Sequence, residues 1–383
     1  MEKTFSKETN CIHTQQDYEL FIQGVNTPID PSSAFQYRGF EENVYPRYYN
    51  TINQKVVVEK LTALEKGETG LLFSSGMAAI SSILFSFLKT GDHAIFYQKI
   101  YGGTFSFIKT EFEKFGIEYS FVEEKAPEAF EKAIKSNTKI VYIESPTNPL
   151  LDILDIKSIA EVSKKHQLIS IIDNTFATPI NQTPIALGID ISLHSGTKYL
   201  GGHSDLAFGA VVTSKELNNK ILKSAINQGG SLNALDVYLI ERSLKTLDVR
   251  VNRQNENALQ IAEFLEKHHK VGRVYYPGLK NHPGYEIARE QMKGFGGMLS
   301  FELKADGIDQ VNHFLDALNL IKPALSLGGV ETIICSPALT SHIKMSKADR
   351  EKAGISDGLL RLSVGIENVQ DLQMELDFAL NKT

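Results

Sequence analysis

The chain has 383 residues, 42% of them hydrophobic and 22% charged, with a formal net charge of −6. That is ordinary globular composition, long enough for a large domain and a smaller one, and its acidic balance argues against nucleic-acid binding, which calls for a basic face. Two cysteines, Cys11 and Cys335, make neither a disulfide framework nor a metal-ligand spacing, and Met1 to Glu8 has no apolar h-region; a cytoplasmic location is expected.

Gly70 to Leu88 carries no charge and includes five serines and two glycines. Its length suits a membrane span, but a helix buried on all sides reads the same way, and no membrane association is expected. Within it, Phe73-Ser74-Ser75-Gly76-Met77-Ala78-Ala79-Ile80 is a small-residue turn opening an apolar helix. Such a helix N-terminus favours an anion such as a phosphate, although a tight turn into a core helix looks identical. Downstream, strand-like runs cover His93–Tyr97, Lys139–Ile143, Leu168–Ile172, Ile189–Leu193 and Ala207–Thr213. Helical patterns at Pro127–Lys135, Ile156–His166 and Lys215–Asn227 lie among them. This alternation predicts an α/β fold with a mostly parallel central sheet covered by helices.

From Asn233 to about His269 there is no proline or glycine, which predicts one long helix or a broken pair leading into a smaller α+β C-terminal domain. Its strand candidates are Arg273–Tyr276, Met298–Leu303 and Leu359–Val364; its helix candidates are Ile308–Leu318 and Val369–Leu380.

Two apolar runs end in chemically useful residues. One closes on Asp173-Asn174-Thr175, the other on His194-Ser195-Gly196-Thr197-Lys198. In sheets of this class ligands bind beyond the carboxyl ends of the strands. There a lysine that forms a Schiff base and a carboxylate that keeps a ring nitrogen protonated meet the needs of pyridoxal 5'-phosphate (PLP). Ser195 and Thr197 add hydroxyls for the phosphate. His194 and His203 read as structural, since no metal-ligand spacing accompanies them.

The strings Ser75-Gly76-Met77-Ala78-Ala79, Tyr101-Gly102-Gly103-Thr104, Glu144-Ser145-Pro146-Thr147-Asn148-Pro149, Asp173 to Pro179 and Ser195 to His203 occur in that order, followed by Ser326 to Glu331 and Arg361 to Glu367. Together they resemble the Cys/Met-metabolism (transsulfuration) family of PLP enzymes, which includes cystathionine β- and γ-lyases, cystathionine γ-synthase, methionine γ-lyase and O-acylhomoserine sulfhydrylases. The resemblance spans nearly the whole chain. It implies the aspartate aminotransferase-like fold type I of PLP-dependent transferases. It also implies roles. Lys198 would hold the cofactor covalently and move protons. Asp173 would pair with the pyridinium nitrogen, and Tyr101 would stack on the ring and assist proton movement. Gly76, Met77, Ser195 and Thr197 would hold the phosphate. Asn148, Ser326 and Arg361 would bind the substrate, with Asn148 and Arg361 on its carboxylate. Tyr45 and Arg47, in Tyr45-Pro46-Arg47, look like a Tyr-x-Arg pair lent to a neighbouring subunit's phosphate, with Tyr45 a second catalytic candidate. At least a homodimer with shared sites would follow, and family members are usually tetramers. The implied divisions are residues 1–55 reaching the neighbour's site, 56–250 as the PLP-binding domain and 251–383 as the C-terminal domain.

The resemblance points to a carbon–sulfur lyase that eliminates a thiol from an L-amino acid thioether, cystathionine foremost. Cystathionine γ-synthase, O-acylhomoserine sulfhydrylase and methionine γ-lyase remain as alternatives. Val44 stands where many cystathionine enzymes carry a glutamate, and Ser106 where they carry an arginine, whereas Gly103 and Glu331 match the cystathionine γ-type enzymes. A nicotinamide-dependent oxidoreductase would need G-x-G-x-x-G opening the first βα unit, which is missing. A PLP carrier without catalysis would have no use for a substrate-carboxylate clamp.

Overall fold

The structure, a computed structural model, describes residues 5–13, 24–304, 307–340, 343 and 346–383. Part of the N-terminal segment, residues 1–4 and 14–23, therefore lies outside the described residues. A first helix, α1 (Lys7–Ile12), packs on α2 (Ile52–Glu65). Helix α2 begins with a capping box between Thr51 and Gln54, which satisfies two otherwise orphaned amides.

The larger sheet has seven strands: β1 (Thr69–Phe73), β2 (His93–Tyr97), β3 (Glu118–Val122), β4 (Thr138–Glu144), β5 (Ile169–Asp173), β6 (Ile191–Ser195) and β7 (Gly209–Thr213). Their order across the sheet is β1-β7-β6-β5-β4-β2-β3. Only β7 pairs antiparallel, against β1 and β6. The parallel strands are covered on both faces, so they read as continuous apolar runs rather than alternating ones; every residue of β2 is buried. The intervening helices are α3 (Gly76–Phe87), α4 (Gly102–Phe107), α5 (Glu113–Phe115), α6 (Pro127–Lys132), α7 (Ile156–Lys165), α8 (Thr178–Asn181) and α9 (Lys215–Gln228).

The uncharged stretch Gly70–Leu88 is thus a strand followed by a helix, and not one continuous helix. Ser75 caps α3 by accepting from the Ala78 amide at 3.0 Å. Ile80, Ile83 and Leu84 of α3 enter the core of the large sheet, each burial contributing about 1.5–3 kcal/mol. Among the described residues no helix is long and apolar enough to cross a membrane.

The expected long helical region is a broken pair, α10 (Ala234–Leu244) and α11 (Leu247–Lys267). Beyond it lie β8 (Val271–Tyr275), α12 (Tyr285–Gln291), β9 (Met298–Leu303), α13 (Ile308–Asp316), β10 (Lys322–Pro323), β11 (Ile333–Cys335), α14 (Lys347–Lys352), β12 (Leu359–Ser363) and α15 (Val369–Leu380). The second sheet runs β10-β11-β12-β9-β8 and is antiparallel except for the β10–β11 pair. It has its own core with α11, α13 and α15. Four strands escape the sequence patterns: β1 is hidden in the uncharged stretch, β3 is half-exposed, and β10 and β11 have two and three residues.

Candidate active site

The carboxyl ends of β4, β5 and β6 carry Glu144, Asp173 and Ser195. Glu144 and Asp173 are register partners across β4 and β5, and both are buried. Asp173 accepts from the Thr175 amide at 3.0 Å and from its hydroxyl. Burial raises its pKa against those bonds, because a low-dielectric interior disfavours the charged form. Among the described residues, no cationic side chain lies within ion-pair distance of Asp173. Behind it, His194 Nε2 lies 2.6 Å from Glu65 Oε1, which also accepts from Asn174 at 2.9 Å. His194 thus belongs to a buried polar network, as expected of a structural histidine. His203 sits against the Gly201 carbonyl at 2.7 Å.

Lys198 lies in the turn after β6. Its Nζ donates to Ser326 Oγ at 2.8 Å. Burial first, and then the Arg361 guanidinium, lower its pKa, so the neutral amine is favoured more than for a surface lysine. Ser326 has φ +84°, a conformation that L side chains rarely adopt and that marks a constrained position. Arg361, buried on β12, donates to Asn148 Oδ1 at 2.9 Å and to the Ser326 carbonyl at 3.0 Å. The structure therefore brings Lys198, Ser326, Arg361 and Asn148 together by direct bonds. The planar fork of Arg361 remains matched to a carboxylate.

Gly76 opens α3 beside Ser195. A Cβ at position 76 would stand 3.0 Å from Ser195 Cβ and Oγ. The amides of Gly76 and Met77 begin the helix and have no intrahelical carbonyl to bind. The Thr197 hydroxyl is engaged with the backbone of Phe208, accepting at 3.1 Å and donating at 3.3 Å. Tyr101 is half-exposed, its amide donates to Glu144 Oε2 at 2.7 Å, and its ring covers Gly103, where a Cβ would stand 2.4 Å from Tyr101 Cε1.

Tyr45 and Arg47 are placed elsewhere in the chain. They line an open groove with residues 30–33 and 231–234. Arg47 donates to the Ile226 carbonyl at 2.8 Å and lies over the rings of Tyr45 and Tyr48. Val44 lines the adjoining groove with Phe35, Tyr37 and Tyr48. Glu331 accepts from the Ser204 hydroxyl, and Ser106 is exposed on α4.

Sequence reasoning missed two features. Glu144 carries the same signal as Asp173, a carboxylate closing an apolar run. The other is a buried polar stripe on α11. Arg250 donates to the Tyr199 carbonyl at 2.8 Å, Gln254 to the Gly329 carbonyl at 2.7 Å, and Asn257 to the Gly365 carbonyl at 3.1 Å. Spaced four and three apart, they share one helix face. They tie the Lys198 turn, the loop after Ser326 and the exit of β12 to a single rod.

An α/β fold with a half-buried lysine, a buried carboxylate that has no ion-pair partner among the described residues and a helix N-terminus at strand carboxyl ends defines a PLP-type enzyme site. The chain belongs to the Cys/Met metabolism PLP-dependent enzyme family, whose model matches residues 8–381. It is 46% identical over 342 residues to an L-methionine gamma-lyase of Fusobacterium nucleatum subsp. nucleatum, covering 88% of this chain and 86% of the relative. It is 44% identical over 383 residues to a cystathionine beta-lyase of Lactococcus lactis subsp. cremoris, covering 98% and 99%. The solved cystathionine gamma-lyase from Lactobacillus plantarum, complexed with L-serine, superposes with a TM-score of 0.93 at 38% identity, covering 99% of each chain. The fold is that of fold type I PLP enzymes, and the chain is a PLP-dependent carbon–sulfur lyase of the transsulfuration family. The residues present fit that cofactor. Nζ of Lys198 has only a hydroxyl partner among the described residues, and Asp173 has room in its electrostatics for a cation.

Proposed function

We propose that this lyase takes an L-amino acid thioether, cystathionine foremost, and with one water releases a thiol, ammonia and a 2-oxo acid. Bound PLP supplies an aldehyde for amines and a protonated ring that accepts electrons from the substrate's α-carbon. Lys198 would hold the aldehyde and would carry the α-proton; burial and the Arg361 guanidinium lower its pKa and so favour the neutral amine. Asp173 holds the ring nitrogen's proton. Gly76 and Met77 offer amides to the phosphate, with Ser195 and Thr197 offering hydroxyls. Thr197 would exchange its Phe208 bond for that contact. Tyr101 covers the ring and assists proton movement. Asn148 and Arg361 take the substrate carboxylate, and Ser326 also binds the substrate.

The bonded set of Lys198, Ser326, Arg361 and Asn148 is the observation that carries the reading. It puts a carboxylate clamp one serine away from the proton-moving amine. Tyr45 and Arg47, exposed and away from that set, reach a second copy's phosphate, with Tyr45 assisting proton movement there. The assembly is at least a shared-site dimer, with a tetramer as the expected form, in the cytoplasm. Residues 1–55 form the lent segment, 56–250 the cofactor domain and 251–383 the C-terminal domain, each of the latter two owning a sheet.

Steady-state assays with cystathionine, methionine, and O-acylhomoserine plus a thiol test the substrate. Cystathionine should give the highest kcat/KM. Turnover of the acylated substrate alone would sink the lyase reading for this chain. Methionine is the second reading, supported by the 46% identity to an L-methionine gamma-lyase and by apolar Val44, where many cystathionine enzymes carry a glutamate.

A further inference from the structure

Glu144 has no assigned part in the chemistry above, yet it sits at the centre of the site. Its strand end is paired in register with that of Asp173. Its Oε2 accepts from the Tyr101 amide at 2.7 Å, and the Asn148 backbone, four residues on, lowers its pKa. Tyr101 begins the loop into α4, and Asn148 lies in the loop after β4 and accepts from Arg361. One buried carboxyl therefore bonds the Tyr101 segment and feels the backbone of the Asn148 segment.

We infer that Glu144 is a positioning residue that pins the Tyr101 and Asn148 loops to the Asp173 end of the sheet. The inference rests on the cofactor reading for what those loops touch, but the pinning is a property of this chain alone. The physical argument is one of alternatives. A backbone amide shielded from water needs an acceptor, so these loops close where one is fixed. Glu144 is fixed, because β4 is hydrogen-bonded on both sides, to β2 and to β5.

Two buried carboxylates at adjacent strand ends do not both ionise readily. Burial and then the charge of Asp173 raise the pKa of Glu144 well above the carboxylate range. Asp173, with the Thr175 amide and hydroxyl on it, is the better-stabilised anion. Glu144 is thus suited to hold geometry, and Asp173 to hold charge.

The test is amide hydrogen exchange in the full-length enzyme, loaded with PLP and stripped of it, for the wild type, Glu144→Ala and Glu144→Gln. In Glu144→Ala, protection at the Tyr101 and Asn148 amides should fall about 10–100-fold, the range for a hydrogen bond to a carboxyl group, while amides of β9 keep theirs. Glu144→Gln, which keeps one carbonyl acceptor, should restore protection at one of the two. In turnover, Glu144→Ala should raise KM and lower kcat together, and Glu144→Gln should recover part of one. Wild-type protection at both amides in Glu144→Ala would overturn the inference. So would equal loss across β9, which would mark a general loss of fold. Borohydride labelling of an amine other than Lys198 would overturn the cofactor reading instead, and the exchange result would stand independently.

Discussion

The Lys198 cluster and the Tyr45–Arg47 segment are built from opposite materials. Around Lys198, partners are at least half-buried and mutual: half-buried Ser326 and Asn148 bond in a chain through buried Arg361, and buried Asp173 and Glu144 close paired strands. Around Tyr45, rings lie open. Tyr37 is 70% exposed and Phe40 64% exposed, and Arg47 reaches a backbone carbonyl and, among the described residues, no carboxylate. A scaffold that holds its reacting groups through packed strands keeps their geometry without help. A segment of exposed aromatic rings and a guanidinium awaits a surface, and we infer that a second copy supplies it.

Replacing Lys198 strikes the buried half hardest. Lys198→Ala should lower kcat by roughly 10²–10⁴-fold, the contribution of a placed proton carrier, and abolish borohydride labelling at position 198. Turnover close to wild type would break the comparison, because the buried cluster would then not be the reacting one.

Asp173→Asn separates function from stability. PLP should bind about 10–100-fold more weakly, the loss for a charge-assisted hydrogen bond, as read by cofactor titration. The stripped chain should instead melt higher than wild type at pH 7–8. Burial raises the pKa of Asp173, so the ionised side chain is disfavoured in the fold. That penalty is absent below the unfolded carboxylate range near 3.9 and grows as pH rises through the raised value. The two melting curves should therefore converge toward pH 4. A lower Tm for Asp173→Asn at pH 8 would show that the buried carboxylate is fully compensated within the chain.

Arg361→Lys should raise KM about 10–100-fold with a smaller change in kcat, since lysine cannot span both Asn148 and the Ser326 carbonyl while facing a carboxylate. An equal fall in kcat would move Arg361 from the clamp to the reacting centre. Arg47→Ala is the mildest. Cofactor affinity should drop about 10-fold, the low end for a charged contact, and the loss should deepen on dilution of the enzyme. Affinity equal to wild type at all concentrations would leave the exposed segment without a part.

The buried half was also the legible half. Lys198 and Asp173 stand at the ends of apolar runs, where a parallel sheet presents its ligands. The broken α10–α11 pair and α15 follow helical spacing, and α15 matches residue for residue. Local spacing failed where it carried two messages. The uncharged stretch from Gly70 hides a strand turning into a helix at Ser75, because a fully buried strand and a fully buried helix share a composition. The stripe of Arg250, Gln254 and Asn257 was illegible for another reason. Polar residues at helical spacing read as a solvent face, and their acceptors are backbone carbonyls, which leave no mark in a residue sequence.

That stripe bears on how such an enzyme can change what it accepts. Its three donors grasp the main-chain oxygens of Tyr199, Gly329 and Gly365, so the grip depends on no side chain of the loops it holds. Selectivity can wander while the machinery stays in register, much as tools are swapped on a spindle that never moves.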